Sequence, residues 1–462
     1  MTGSKPKYYI RTFGCQMNIA DSGQYSSILD SFGMESASNP EESDLVLVNT
    51  CVVRAKAEEK AISFLGEIER LRKLRPTVKF ILAGCLAPRV SRAELKSRFP
   101  GLLFAINPSE IEKFRDLVQD HIEEIFRESG FDEDLCKTAP NAPEKASDTG
   151  FRFHSFVTIM RGCEQFCTYC VVPSSRGANY SRPVDEILEE IQCRVKEGAR
   201  AITLLGQSIL DYGKEHGSGK NIKSIHGDRQ FRELLDIISS RFPDIWIKFL
   251  TSHPKDFTSE TIDLIASREN ISRFIHIPVQ SGDNEILRRM GRGHTREDYF
   301  KLTEYVIKRI PDARLSSDII VGFPGETIES FENSLDLLRQ VRFFKVFTFQ
   351  YSPRPGTPAE NFPDDVSYEE KRVRLNHLID IQNQITMERH RELEGVEMSA
   401  MVEGASKGND ELLMARSRDE DIIIFDHAEN LMPGDMVIIE ITEGRQRTLR
   451  GKFVRRFTNH LK

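Results

Sequence analysis

Three cysteines stand close together near the middle of the chain, at Cys163, Cys167 and Cys170 (the central trio). Their spacing is Cys-x3-Cys-x2-Cys, and neither a histidine nor a fourth cysteine follows closely. A structural zinc site is closed by four protein ligands. Three thiolates in one short loop instead suit a [4Fe–4S] cluster with one iron open to a non-protein ligand. The loop is therefore predicted to be a reaction centre whose open iron binds and activates a small molecule.

A second set of three cysteines, Cys15, Cys51 and Cys85 (the N-terminal trio), is widely spaced in the sequence. Each follows a run of residues typical of a β-strand. Ligands of open α/β sheets collect beyond the carboxyl ends of the strands, so we expect these thiols to meet at one sheet edge. A buried core cysteine is a common alternative at any single position. Three such cysteines favour a second iron–sulfur cluster.

Strand and helix patterns alternate around the N-terminal trio. The runs Lys7–Phe13, Leu45–Asn49 and Val78–Ala83 are strand-like, while Ala20–Phe32 and Ala55–Leu74 have helical spacing. This βαβαβ order predicts an open parallel sheet.

Six strand-like runs, separated mostly by helical stretches, follow in the second part of the chain. The strands are expected at Ser155–Met160, Ala201–Leu205, Trp246–Leu250, Arg273–Ile277, Arg314–Ile320 and Val346–Gln350. Candidate helices lie at Val184–Glu197, Glu297–Arg309 and Thr327–Val341. Repeated βα units form a closed or partial parallel barrel, with the chemistry on loops after the strands. The central trio follows the first of these strands, as this rule expects.

The last part of the chain changes character. Pro353–Pro363 marks the end of the parallel barrel, and a charged helix is expected at Tyr368–Leu393. Short strands bounded by turn residues then predict a small antiparallel β-barrel. These strands are expected at Val396–Glu403, Leu412–Ser417, Asp421–Phe425, Met436–Thr442 and Leu449–Arg456.

The predicted fold class is therefore α/β, with an open parallel sheet, a partial (βα)6 barrel and a small antiparallel barrel. The expected divisions are an N-terminal domain at 5–125, a polar linker at 126–150, a parallel-barrel domain at 151–385 and a C-terminal barrel at 392–458.

Composition narrows the class of protein further. The net charge of −7 gives the whole chain no general field for binding nucleic acid. No stretch approaches the ~20 apolar residues of a membrane span. The N-terminal residues lack the apolar core of a signal peptide, so a cytoplasmic protein is expected, with no membrane partner. The segment Gly444–Lys462 is strongly basic and contains no Asp or Glu.

The Cys-x3-Cys-x2-Cys spacing, with Tyr169 before the last cysteine, resembles the radical S-adenosylmethionine (radical SAM) superfamily. Within it, several peptides resemble the methylthiotransferases, from an N-terminal methylthiotransferase domain to a C-terminal TRAM domain. They are Thr12–Asn18, Asn49–Arg54, Gly84–Ala87, Arg161–Cys163, Leu204–Gln207, Pro278–Gly282, Asp318–Glu326 and Tyr351–Thr357.

The peptide Cys15–Asn18, Cys-Gln-Met-Asn, is similar to the branch of this family that modifies tRNA. The resemblance implies methylthiolation of C2 of N6-(dimethylallyl)adenosine beside the anticodon. Alternatives within the family are methylthiolation of a ribosomal-protein side chain or of a threonylcarbamoyl-type tRNA adenosine. A non-enzymatic RNA-binding iron–sulfur sensor is a further alternative.

The resemblance also implies two [4Fe–4S] clusters and S-adenosyl-L-methionine as cofactors. The central trio would hold the catalytic cluster and the N-terminal trio an auxiliary cluster that carries the sulfur. Tyr169 is expected beside the adenine of S-adenosylmethionine, although a loop aromatic that fills the barrel mouth is an equal alternative. The remaining expected cofactor contacts are Gly206, Gln207, Ser281, Asp318 and Gly322.

The expected partners are tRNA, bound at its anticodon stem-loop, and a reducing electron-donor protein; the chain is expected to be a monomer. The basic C-terminal strand would bind RNA phosphates, although charged runs are more often solvated surface. The expected RNA contacts are Arg445, Arg447, Arg450, Lys452, Arg455 and Arg456.

Overall fold

The structure is a computed structural model that describes most of the chain. The described residues are 5–52, 55–87, 92–126, 153–214, 228–250, 253–406, 408–428 and 430–457. The predicted linker at 126–150 therefore lies outside them, apart from its first residue. Two compact units are present, and the predicted domain boundaries stay predictions. The first unit contains 1–150, 155–164 and 171–178, and the second contains 151–154, 165–170 and 179–462.

Five parallel strands form the sheet of the first unit. They are β1 (Lys7–Thr12), β2 (Glu35–Ser36), β3 (Leu45–Thr50), β4 (Lys79–Gly84) and β5 (Leu102–Ile106). Their order across the sheet is β2-β1-β3-β4-β5, and every neighbouring pair is parallel. The sequence pattern had not predicted β2 or β5.

Helices cover both faces of this sheet. They are α1 (Gln16–Ser31), α2 (Ala55–Leu74), α3 (Arg92–Arg98), α4 (Phe114–Asp120) and α5 (Ile122–Phe126). All six residues of β3 are buried, and successive side chains enter opposite cores because side chains of a strand alternate between its faces. Leu45 and Leu47 pack in the core that contains Tyr25 of α1. Val46, between them, packs in the core that contains Leu65 of α2.

Helix α1 begins at Gln16, four residues before the predicted start at Ala20. The side chain of Asn18 explains the difference, because its Oδ1 accepts a hydrogen bond of 3.4 Å from the backbone nitrogen of Cys15. Such a bond satisfies a donor that the helix itself leaves unpaired. Cys15 is thereby fixed at the first turn of the helix.

The chain continues through β6 (His154–Thr158), β7 (Met160–Arg161), α6 (Val172–Arg176) and β8 (Tyr180–Ser181). The single strand predicted at Ser155–Met160 is thus two strands, interrupted at Ile159.

The second unit then alternates helices and parallel strands. These elements are α7 (Val184–Lys196), β9 (Ala201–Leu205), α8 (Asp228–Arg241), β10 (Trp246–Phe249), α9 (Ser259–Ser267), β11 (Phe274–His276), α10 (Asn284–Arg289), α11 (Arg296–Arg309), β12 (Arg314–Val321), α12 (Ile328–Val341) and β13 (Lys345–Gln350). Strands β9 and β10 are parallel, as are β11, β12 and β13. An isolated parallel bridge joins Ile247 of β10 to Ile271, which lies shortly before β11 in the chain.

A long helix, α13 (Tyr368–Arg391), leads to a closed barrel of five strands. They are β14 (Glu397–Ser406), β15 (Asn409–Ser417), β16 (Ile422–Asp426), β17 (Met436–Gly444) and β18 (Leu449–Arg456). Four neighbouring pairs are antiparallel, and the pair β16 with β18 is parallel. The predicted fold class is confirmed.

An acidic turn between β15 and β16 attaches this barrel to the strands of the second unit. Asp419 Oδ1 accepts a hydrogen bond of 2.6 Å from the backbone nitrogen of Arg273. Glu420 pairs with Lys248 of β10, and Asp421 lies 3.4 Å from Arg314 of β12. No helix among the described residues is long and apolar enough to span a lipid bilayer.

Candidate metal centres

The N-terminal trio lies beyond the carboxyl ends of three neighbouring strands. Cys15 follows β1, Cys51 follows β3 and Cys85 follows β4, and these strands are adjacent in the sheet. Cys51 and Cys85 are buried, and Cys15 is exposed. A hydrogen bond with Cys51 and the charge of Arg176 lower the pKa of Cys15 to about 6. The fold therefore gathers the thiols at one edge, as the strand pattern predicted.

A buried hydrogen-bond network fixes this edge. Asn18 Nδ2 donates to Asn49 Oδ1 over 3.0 Å and to the carbonyl of Thr50 over 2.9 Å. Asn49 Nδ2 donates to the carbonyl of Asn18 over 2.7 Å and to Ser22 Oγ over 2.9 Å. Gly84 has φ +96°, and a Cβ there would overlap the carbonyl oxygen of Thr50. These contacts hold α1, β3 and β4 in the register that brings the cysteines together.

The donor set at this edge fits an iron–sulfur cluster. Within the described residues, no group of three or more His, Cys, Asp or Glu side chains can hold one metal ion. Three thiols are soft ligands of the kind that iron–sulfur clusters use.

Backbone contacts hold the central trio. Gly162 has φ +81°, and a Cβ there would overlap the carbonyl of Ala178, so only glycine fits before Cys163. In the second unit, the backbone nitrogen of Cys170 donates to the carbonyl of Cys167 over 3.0 Å. Thr168 donates from its backbone nitrogen to the carbonyl of Met290 over 3.0 Å.

Arg292, which the sequence analysis did not single out, contacts the central trio. Its side chain is buried, and Nη1 lies 3.5 Å from the Sγ of Cys167. Nη2 donates to the carbonyl of Pro278. No carboxylate in the described part of the chain forms an ion pair with Arg292, and its Nη1 instead contacts the sulfur of Cys167.

Tyr169 packs in an apolar cluster. Its ring lies edge-on to that of Phe323, with 6.4 Å between ring centroids, beside Ile286 and Met290. Burial raises the pKa of Tyr169 well above its usual value. The ring therefore fills the space inside the second unit, and its contact with adenine stays a prediction.

The loop after β9 presents polar atoms that have no protein partner. Both amide atoms of Gln207 and the hydroxyl of Ser208 are buried, and none of them has a hydrogen-bond partner within the described structure. Such groups cost about 1–3 kcal/mol each. They are therefore expected to contact a ligand. Gly206, directly before them, is buried.

Contacts within the protein account for three further residues. Ser281 is fully buried and accepts a hydrogen bond of 3.2 Å from the backbone nitrogen of Asp283. A Cβ on Gly322 would overlap Lys371 of α13. Asp318 Oδ1 lies 3.5 Å from His276 Nε2. Cofactor contacts by Ser281, Gly322 and Asp318 stay predictions.

Four of the six basic residues predicted to bind RNA form ion pairs within the C-terminal barrel. These pairs are Arg445 with Glu443, Arg450 with Asp426, Arg455 with Glu397, and Arg456 with Asp435. Arg447 and Lys452 are exposed and form no ion pair within the described residues. RNA contact by all six stays a prediction.

Two family models match this architecture. The model of the Radical SAM superfamily matches residues 157–338, and the model described as "Uncharacterized protein family UPF0004" matches residues 7–105.

Curated relatives match nearly the whole chain. A tRNA-2-methylthio-N(6)-dimethylallyladenosine synthase of Carboxydothermus hydrogenoformans is 39% identical, over 98% of this chain and 100% of the relative. The synthase of Natranaerobius thermophilus is 36% identical, over 97% of each chain. This chain belongs to the tRNA-2-methylthio-N(6)-dimethylallyladenosine synthase family.

Membership of this synthase family makes the protein a radical SAM methylthiotransferase, and its cofactors are S-adenosylmethionine and [4Fe–4S] clusters.

Solved structures of other radical SAM enzymes have a similar fold. The radical S-adenosylmethionine methyltransferase TsrM of Kitasatospora setae, with tryptophan and aza-SAM bound, has a TM-score of 0.54 and 14% identity, over 87% of this chain and 79% of that one. The cobalamin-dependent enzyme OxsB has a TM-score of 0.51, over 83% of this chain and 56% of that one.

Proposed function

We propose that this protein is a tRNA methylthiotransferase. It replaces the hydrogen at C2 of N6-(dimethylallyl)adenosine, next to the anticodon, with a methylthio group. The observation that carries the proposal is the near-full-length similarity to synthases named for this product. Both thiol trios lie within the matched length, which is what a reaction with a radical step and a sulfur-transfer step requires.

Each trio has its own role in this proposal. Cys163, Cys167 and Cys170 hold the catalytic cluster, and Cys15, Cys51 and Cys85 hold the auxiliary cluster. Bound at these residues, the cofactors supply a 5′-deoxyadenosyl radical, which acid–base side chains cannot generate, and the sulfur that enters the product. The protein binds, orients and shields the reactants.

Other residues orient the ligands. The amide of Gln207 hydrogen-bonds a polar group of S-adenosylmethionine or of the target nucleoside, because both of its polar atoms are buried and have no partner among the described residues. The guanidinium of Arg292 holds Cys167 and offsets the negative charge of its thiolate. Tyr169 forms an apolar wall of the site.

The RNA is held by the C-terminal barrel. Arg447 and Lys452 are exposed and form no ion pair in the described part of the chain, so they are best suited to contact phosphates directly. The target base leaves its stack, which is least costly in a single-stranded loop such as the anticodon loop. The electron comes from a reducing protein partner, and the enzyme acts as a monomer.

Nucleoside mass spectrometry tests the function. A strain that lacks this protein should lose 2-methylthio-N6-(dimethylallyl)adenosine and accumulate N6-(dimethylallyl)adenosine. Complementation with Cys167→Ala should not restore the product, whereas the exposed Cys193→Ala on α7 serves as the matched control and should restore it. Undiminished methylthio nucleoside in the deletion strain would refute the tRNA substrate and redirect the search to ribosomal proteins.

A further inference from the structure

Three charged side chains are buried together in the first unit, close to the N-terminal trio. Asp21 of α1 lies 2.5 Å from Arg161 Nη1 and 3.0 Å from Arg176 Nη2. Arg161 uses its other terminal nitrogen to donate to Gln24 Oε1 over 2.8 Å. The side chains of Asp21 and Arg176 are 1% and 4% exposed. The group thus contains two buried or half-buried cations and one buried anion.

This group has an excess of positive charge that the described protein atoms do not neutralise. The Nη1 of Arg176 is buried and has no hydrogen-bond partner among the described residues. A buried charged donor without an acceptor is strongly unfavourable. The site is therefore built for an anionic acceptor that the polypeptide itself does not provide.

Helix α6, which carries Arg176, begins beside the N-terminal trio. Val171, directly before α6, packs against Cys85, Leu86 and Val52 in one apolar cluster. A hydrogen bond with Cys51 and the charge of Arg176 lower the pKa of Cys15, and burial raises the pKa of Cys85 although the charge of Arg176 opposes it. Arg176 is thus the cation of the group that faces the thiols.

We propose that Arg176 is a positioning residue of the auxiliary cluster: its Nη1 donates a hydrogen bond to a sulfur atom of that cluster, and its charge raises the cluster's reduction potential. Hydrogen bonds to cluster sulfurs and nearby charge are known determinants of such potentials. A cation favours the reduced cluster, which carries one more negative charge. This inference rests on the proposed function, because it requires an auxiliary cluster at Cys15, Cys51 and Cys85.

The test uses the full chain with Cys163, Cys167 and Cys170 replaced by alanine, so that only the auxiliary cluster can form. After reconstitution with iron and sulfide, iron content is measured and the cluster is titrated by EPR at controlled potentials. Arg176→Gln should shift the midpoint potential to more negative values. Arg176→Lys should shift it less, because lysine keeps the charge but not the planar fork.

Arg161→Gln is the matched control, since it breaks an ion pair with the same Asp21 but removes a cation that faces Gln24. Its potential should stay near that of the parent. Equal shifts in Arg161→Gln and Arg176→Gln, or no shift in Arg176→Gln, would overturn the inference. Loss of iron from Arg176→Gln alone would support it, and equal loss from both variants would overturn it. A parent with no iron, instead of about four atoms per chain, would refute the auxiliary cluster and the proposed function that includes it.

Discussion

The N-terminal trio and the central trio gather three thiols in opposite ways. The cysteines of the N-terminal trio come from three strands and meet because a whole parallel sheet packs in one register. Those of the central trio lie within eight consecutive residues, and a few backbone contacts hold the loop. The first site therefore depends on the stability of its unit, whereas the second depends on local geometry.

The two sites also differ in the charge around them. Arg176, near the N-terminal trio, shares the carboxylate of Asp21 with Arg161. Arg292, beside Cys167, has no ion-pair partner among the described carboxylates. One environment therefore contains a carboxylate that neutralises its cations, and the described carboxylates provide none for the other. Both differences lead to measurements that separate the sites.

The largest expected effect is loss of product after removal of either trio, with different intermediates. Cys167→Ala should abolish both product and 5′-deoxyadenosine, because the radical step needs the central trio. Cys15→Ala should abolish product but still release 5′-deoxyadenosine from S-adenosylmethionine. In both variants, iron should fall from about eight atoms per chain to about four. Chromatography of the reaction mixtures and iron analysis check this, and equal release of 5′-deoxyadenosine by the two variants would contradict it.

Asp21→Asn should destabilise the apo-protein by about 3–5 kcal/mol near neutral pH, because it leaves two arginines without their shared anion. Burial opposes ionisation of Asp21, but Arg176 and Arg161 outweigh it and hold the pKa of Asp21 below its usual 3.8. A depressed carboxyl pKa stabilises the fold above the ordinary value, and this stabilisation is lost as the pH falls through the folded value. The difference from wild type should thus shrink below about pH 4.

Urea unfolding of both proteins at several pH values measures this effect. Asn49→Ala serves as the comparison, since it removes contacts between uncharged groups whose contribution should not change over the same acidic range. A pH-independent difference for Asp21→Asn would contradict the assignment of Asp21 as the titrating acid.

A smaller effect is expected from Asn49→Ala. It removes two buried donor contacts and one acceptor between α1 and β3, at a cost of about 2 kcal/mol. Iron at the N-terminal trio should become labile while the central trio keeps its own. Thermal unfolding and chelator-release kinetics measure both effects. Asn39→Ala is the control, because its side chain bonds to Glu42 at an exposed turn. Similar losses in the two variants would count against the network.

The smallest expected effect is that of Arg292→Lys. Loss of the guanidinium contact with Cys167 should slow release of 5′-deoxyadenosine by roughly 10-fold. This is the lower end of the range of activity losses that follow from mutating groups that orient metal ligands. Iron content should be unchanged. Arg288→Lys provides the control, since Arg288 is exposed and pairs with Glu285. An identical rate in wild type and Arg292→Lys would show that the contact does not matter for the reaction.

The sequence pattern predicted what depends on local spacing. The central trio was visible because its ligands are neighbours in the chain. The N-terminal trio was visible because Cys15, Cys51 and Cys85 each follow a strand-like run. β5 was missed because Leu102–Ile106 is a short apolar run directly after a turn, with no polar alternation to mark it.

Contacts that arise only from packing could not be predicted. Arg176 and Arg292 reach the thiols because α6 and the segment after α10 fold against them, and neither arginine stands in a distinctive pattern. The same holds for the C-terminal barrel, where β18 was expected to present a charged face. Carboxylates at Asp426, Glu397 and Asp435 pair with three of its cations, and these pairs cannot be deduced from β18 alone.

The acidic turn Asp419–Asp421 has a consequence for how this protein can be divided. Lys248 and Arg314 are buried cations whose counter-ions, Glu420 and Asp421, belong to the C-terminal barrel. A chain truncated before β14 would remove both anions and uncover the surface around Lys248 and Arg314 that the barrel buries. Such a truncation would therefore weaken the parallel-strand core itself, so the barrel is not a detachable module that recombination could exchange freely between enzymes.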